Sequence, residues 1–185
     1  MKGRLLILLT SISFMFSCNS EKQMLNTYKQ EKTRLVSLAS NCESFFAKYQ
    51  FKEVVVRYNS AVKQIRFAAT MNSPHKYFGC EFSATGYEAL QVNFSDSLEK
   101  GEKDLFAKIP TDSALQVILR DYMVSKIEAV NISNSGVFLS LGSSIKSKNP
   151  EMSAGILMTS NENYVKSNVI KEIEKGVLLY ETVIE

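Results

Sequence analysis

Tryptophan is absent from this chain of 185 residues, and histidine occurs once, at position 75. A single histidine excludes a multi-histidine metal centre, and any Ser-His-Asp or Cys-His arrangement would have to be built on His75 alone. That residue sits in Ser73-Pro74-His75-Lys76, a turn-like stretch that reads as solvated loop. Proline (3) and glycine (8) are sparse while Phe (11) and Tyr (8) are plentiful, which argues against wholesale disorder and against a collagen-like repeat. Three cysteines are too few for a miniprotein held by disulfides, and no Cys-x-x-Cys redox pair occurs. There is no nucleophile elbow and no glycine-rich loop to cradle a phosphate. The carboxylates Glu99, Glu102, Glu172 and Glu174 read as solvated surface. Nothing here points to a cofactor, a metal or an enzyme, and the lack of Trp weakens a carbohydrate-binding reading.

What is present is 45% apolar and 22% charged, enough for one ordinary core and one domain. The N-terminus is distinct from the rest. Lys2 and Arg4 form a short basic start, followed by an apolar stretch from Leu5 to Phe16 broken only by Thr10, Ser11 and Ser13. Those 12 residues fall short of the ~20 needed to cross ~30 Å of hydrocarbon, and they fit the apolar region of an export signal. The stretch ends in Met15-Phe16-Ser17-Cys18, and Asn19-Ser20-Glu21-Lys22 follows as a polar run. This segment resembles the lipobox of bacterial lipoproteins, in which a small residue precedes a Cys that is lipidated and becomes the new N-terminus. The resemblance covers residues 1–18 only. It implies a signal peptide over 1–17, lipidation of Cys18 and a location in the cell envelope, anchored to a bacterial membrane; the polar run reads as a tether over 18–24, and the length that remains, 25–185, as one domain. An ordinary secretory signal or an uncleaved anchor are the alternatives.

Removing residues 1–17 takes Lys2 and Arg4 away, so 20 basic residues face 19 acidic ones and the net charge falls from +3 to +1. Without a basic cluster, nucleic-acid binding has no electrostatic footprint and is rejected. With Cys18 lipidated, Cys42 and Cys80 remain as a pair in a compartment that permits disulfides. Closing that loop would stabilise the chain by about 3–4 kcal/mol in the chain-entropy model. Two buried free thiols are the equally ready alternative, because Cys is among the most buried residue types.

The mature chain reads as α+β. Leu25, Tyr28, Leu35, Ala39, Cys42 and Phe46 recur at helical spacing over residues 20–48, with Leu38 and Phe45 widening the stripe. The expectation is a helix whose Leu35, Leu38, Cys42, Phe45 and Phe46 lie on the strands of residues 54–94. Period-two patterns follow: Val54, Val56 and Tyr58; Ile65, Phe67, Ala69 and Met71; Phe78, Cys80 and Phe82; Leu90, Val92 and Phe94. They read as an antiparallel meander. A charged loop with a short helix, over residues 95–108 and anchored by Leu98, Leu105 and Phe106, leads to a second clear helix over Leu115, Ile118, Leu119, Tyr122 and Met123, with Asp112 at its cap or in its first turn. Val130 and Ile132 form a hairpin through Asn134-Ser135-Gly136 with Val137, Leu139 and Leu141, and after a polar loop around Lys148-Asn149-Pro150 comes a strand over 155–159. A third helix carrying Tyr164, Val165, Val169, Ile170 and Ile173, stopped at Gly176, and a closing strand over 177–184 complete the expectation: an antiparallel sheet of about seven or eight strands and about three helices.

Two further features carry functional expectations. Tyr77, Phe78, Phe82 and Tyr87 cluster within eleven residues and could line a ligand groove, although alternating aromatics more often form core and cross-strand pairs. Asp96-Ser97-Leu98 and Asp112-Ser113-Ala114 are similar to a short O-glycosylation sequon of some exported bacterial proteins, and Asp-Ser at a helix start also has a plain capping explanation. The functional expectation is a lipid-anchored envelope protein with a binding or accessory role, its expected partners being the membrane, through Cys18, and an envelope protein. A small envelope hydrolase, or a structural component self-associating through the first helix, are the alternatives.

Overall fold

A computed structural model describes residues 2–71, 76–125, 127–141 and 152–182, with side chains described from Glu21 onward. Helix α1 spans Lys2–Tyr49. Four strands follow, β1 (Glu53–Asn59), β2 (Gln64–Thr70), β3 (Tyr77–Ser83) and β4 (Ala89–Phe94). Then come α2 (Lys100–Phe106), a 3-10 turn at Ile109–Thr111, and α3 (Ser113–Val124). The chain closes with β5 (Ala129–Ser133), β6 (Gly136–Ser140), β7 (Ser153–Met158), a second 3-10 turn at Lys166–Asn168, β8 (Val169–Glu174) and β9 (Val177–Thr182).

All nine strands join one antiparallel sheet in the order β4-β3-β2-β1-β5-β6-β7-β9-β8. The fold is α+β, with one strand more than the sequence pattern gives. The meander β1–β4 grows outward from β1; α2 and α3 then carry the chain back, and β5 pairs with the free side of β1. Alternation decides which side chains meet the helices. Val54 and Val56, Ile65, Phe67 and Ala69, Phe78, Cys80 and Phe82, Val130 and Ile132, Val137 and Leu139 are all buried in one cluster with α1 and α3. Aromatic rings run through it: Phe45 meets Phe67 edge-on at 5.9 Å, Phe67 meets Phe78 at 5.9 Å, and Phe51 meets Phe106 at 5.8 Å.

Helix α1 covers a different part of the sheet from the one expected. It packs on α3 and over β5, β6 and β7, and only its C-terminal end reaches β2, through Phe45 on Phe67. Leu35, Leu38, Cys42 and Phe45 are buried as expected, whereas Phe46 is partly buried. The reason is topological. Because β5 returns to the side of β1, the centre of the sheet lies between the two halves. The β1–β3 region is met instead by α3 and α2, with Tyr122 Oη accepting from Tyr58 N–H at 2.8 Å and Phe106 lying 6.0 Å from Phe78. The tether expected over 18–24 is also partly docked. Met24 is 2% exposed, and Lys171 on β8 donates to Glu21 at 2.9 Å.

The helix expected to carry Tyr164, Val165, Val169, Ile170 and Ile173 is not formed. Its residues make the turn at 166–168 and strand β8, which pairs with β9 through two register irregularities. Val169, Ile170 and Ile173 are β-branched and suit a pleated surface. Gly176, at φ 77°, turns the chain in a tight hairpin instead of ending a helix, and a Cβ there would sit 2.5 Å from Thr159 O. Leu90 and Val92, read as the apolar positions of their strand, and Leu105, read as an anchor, are exposed; β4 is an edge strand. The Asp112 cap is as expected, its side chain accepting from Ala114 N–H at 2.8 Å. Ser73, Pro74, His75 and the loop around Lys148-Asn149-Pro150 lie outside the described residues.

Candidate functional site

Cys18 lies within α1. No helix among the described residues is long and apolar enough to cross a membrane. Cys42 and Cys80 are free thiols, both buried in the core, so the bridge weighed from parity is not made. Burial pushes the Cys80 thiol up to about 12, with the Glu81 carboxylate adding to the effect; burial raises Cys42 further. Neither is a nucleophile near neutral pH, since the thiolate is the reactive form.

The four aromatics of the expected groove are not brought together. Phe78 and Phe82 point into the core, completely buried. Tyr77 is 51% exposed and, by strand alternation, stands on the opposite face. Tyr87 lies beyond the end of β3 with φ 57°. Ser97 and Ser113 are exposed, and Asp112 is engaged as a cap and ion-pair partner.

Asp112 is the most highly connected carboxylate described. Lys48 Nζ donates to it at 2.6 Å and Tyr49 Oη at 2.5 Å, tying the end of α1 to the start of α3. Burial alone raises its pKa, but the donors Lys48, Tyr49 and Ala114 N–H outweigh that and hold the carboxyl below its ordinary value. A second knot joins α1 to β8, where Glu174 accepts from Tyr28 Oη and, at 2.7 Å, from Lys32 Nζ. Both knots are interhelical or helix-to-sheet ties with no cavity beside them among the described pockets. No three His, Cys, Asp or Glu side chains gather as a metal-holding group among the described residues.

The face of the sheet turned away from the helices is covered unevenly. Over β6, β7 and β9, Phe138, Leu157, Leu178 and Tyr180 form a second small core, closed by Tyr164 and Val169. Tyr180 Oη accepts from Val165 N–H at 3.1 Å, and Ser135 Oγ donates to Asn163 O at 2.6 Å, which fastens the covering segment. Over β1–β4 nothing described performs that service. There the register sets Arg57 opposite Arg66, Arg66 opposite Glu81, and Glu81 opposite Gln91. Beside this row run Val55, Ala68, Gly79 and Asn93. At the hairpin end of the charged row lies an open depression of about 390 Å³, lined by Arg57, Asn59, Gln64, Arg66 and Glu81 among others.

Sequence reading missed this surface. Arg57, Arg66 and Glu81 occupy the polar positions of three alternating strands, which read as ordinary solvated faces until pairing sets them side by side. The assembled description is of an α+β domain with one helical face, one half-sealed face and one open charged quarter. No protein-family model, no curated protein and no solved structure matches the chain.

Proposed function

We propose that this is a lipid-anchored envelope protein that binds a partner or ligand through the open face of β1–β4. The observation that carries the binding surface is the contrast on the second sheet face. The apolar part is sealed by the 159–168 segment, while the charged part around Arg57, Arg66 and Glu81 stays open. A face left uncovered and furnished with converging polar groups is where a domain of this shape meets other molecules. The anchor rests on the signal-like segment and Cys18. Two or more acyl chains on one Cys hold a near-neutral domain at a bilayer without a basic patch, at ~0.8 kcal/mol per buried CH₂.

Membrane fractionation tests the anchor. Cys18→Ala should release the protein from the membrane fraction or leave an unprocessed precursor; a variant processed and retained like the wild type would remove the lipoprotein reading. Capture of partners by the natively anchored protein, compared with an Arg66→Glu variant of the same chain, tests the surface. Partners recovered equally by both would place the binding elsewhere.

A further inference from the structure

We infer that the outer edge of β4 is the pairing surface of a two-fold homodimer, in which β4 of a second copy adds to it antiparallel and joins the two sheets. The sheet has two edges, β4 and β8. Edge strands that stay single carry charges or irregularities that block the addition of another strand. β8 has both: Lys171, Glu172 and Glu174 along its length, and two register irregularities against β9. β4 reads Ala-Leu-Gln-Val-Asn-Phe, with no charge and no proline. Its one irregularity lies at its beginning, so residues 91–94 pair regularly with β3. Leu90 and Val92 are exposed on it. The backbone is turned outward as well. Ser95 N–H donates to Tyr77 O at 3.1 Å, so by antiparallel alternation Asn93 and Gln91 turn their N–H and C=O groups to β3. Val92 and Phe94 turn theirs away from it, where no strand among the described residues meets them.

The side chains select a second copy as the occupant. A two-fold axis normal to the sheet keeps each face in common and sets one residue opposite its own mate. Centred on Val92, it sets Val92 against Val92, Leu90 against Phe94, and Gln91 against Asn93. Val92 and Phe94 stand across from Cys80 and Phe78, so their row continues the apolar layer of the helical face. Gln91 and Asn93 lie on the other face, where Gln91 Nε2 donates to Asn93 Oδ1 at 3.1 Å within one copy. Amides both donate and accept, so that row is complementary to itself. Centred on Gln91 instead, the axis would set Phe94 against Glu88 and Ala89 against Asn93. A strand without charge meets its own copy with no like charges opposite. The nearest carboxylates, Glu88 and Asp96, lie beyond its two ends. Because β8 is blocked, assembly closes at two copies.

Cross-linking of the full chain in mild detergent tests the pair. Opposed residues of a hydrogen-bonded antiparallel pair have Cα atoms ~5.5 Å apart, within the reach of a disulfide. Val92→Cys should therefore give a disulfide-linked product of twice the chain's mass on gentle oxidation. The wild type, and Val36→Cys on the exposed side of α1, should not. Val92→Lys sets two ammonium groups against each other at the axis and should weaken the dimer about tenfold or more in sedimentation, with the circular dichroism unchanged. Higher ionic strength, which screens Glu88 and Asp96, should leave the wild-type dimer as strong or stronger. A chain that sediments as a monomer at every concentration, or a Val92→Cys protein that yields no linked product, would overturn the pairing. So would linkage through Val36→Cys alone, which points to the first helix, a product of another mass, which points to a different protein, or a ladder of larger species. Arg66→Glu, on the open face, should leave the cross-link intact, so the two surfaces are tested separately.

Discussion

Cys42 shows how one buried atom sets a chemical property. Its side chain is 0% exposed on the face of α1 that meets the core, and the thiol is held neutral because burial penalises the thiolate. Cys80 is 1% exposed on β3 and behaves alike. Both thiols should resist an aromatic disulfide reagent at pH 8 in the native protein and react together once guanidinium unfolds it. Reaction of either within minutes in buffer would contradict the burial. Cys42→Ser should destabilise by about 1–3 kcal/mol in urea unfolding, because its hydroxyl would lack a partner. Asp112 makes a second residue-scale case. Its pKa is held down in the folded protein, so its contribution is complete above the unfolded value of ~4 and is lost as pH falls through the lower folded value. Asp112→Ala should lower stability by about 1–2 kcal/mol through the lost cap, while Asp112→Asn keeps a capping oxygen and should flatten the acid limb. Thermal unfolding between pH 6 and pH 3 would show a steeper loss for the wild type than for the Asn variant.

At the scale of elements, helix α1 carries the clearest test of packing. Leu38 is 0% exposed and Val36, two residues earlier, is 42% exposed on the same helix. Leu38→Ala should cost about 2–5 kcal/mol and Val36→Ala less than ~0.5, read from denaturant midpoints. Equal costs would mean that α1 is not docked on this stripe. The stripe itself was legible from spacing, as were β1 to β3 and the β5–β6 hairpin, because one-sided burial imposes a period that composition records directly. Two things were not legible. Residues 161–173 carry apolar side chains at spacings that suit either a helix or a twisted edge strand. Pairing with β9, a contact made along the chain's end, decides for the strand. The partners of α1 were hidden for a related reason: which strands it covers depends on β5 pairing with β1, and no local pattern encodes that choice. The open-face arginines escaped for the same cause. Arg57 and Arg66 are nine residues apart in sequence and become neighbours only through the hairpin register.

On the scale of the whole molecule, the question is where the folded body begins. The described contacts start at once: Lys171 on β8 pairs with Glu21, Met24 is 2% exposed, and Tyr28, also 2% exposed, donates to Glu174. Glu21 stands three positions after Cys18, about 4.5 Å of helix rise or about 10 Å of extended chain. Under the lipid-anchor reading, that spacing holds the domain against the bilayer surface with little freedom to reach away from it, so its partners would be met at the membrane. The energetic side of the same observation is separable from the lipid. A chain starting at Gln23 keeps Met24 and Tyr28 and loses only the exposed Glu21–Lys171 pair, worth at most about 1 kcal/mol. One starting at Gln30 loses both buried side chains and opens the core over β8. Urea unfolding of the two chains, made without the signal segment, should differ by more than about 3 kcal/mol in favour of the longer one. Equal stabilities would mean that the body begins after residue 29 and that the first turns of the described helix contribute nothing to holding it together.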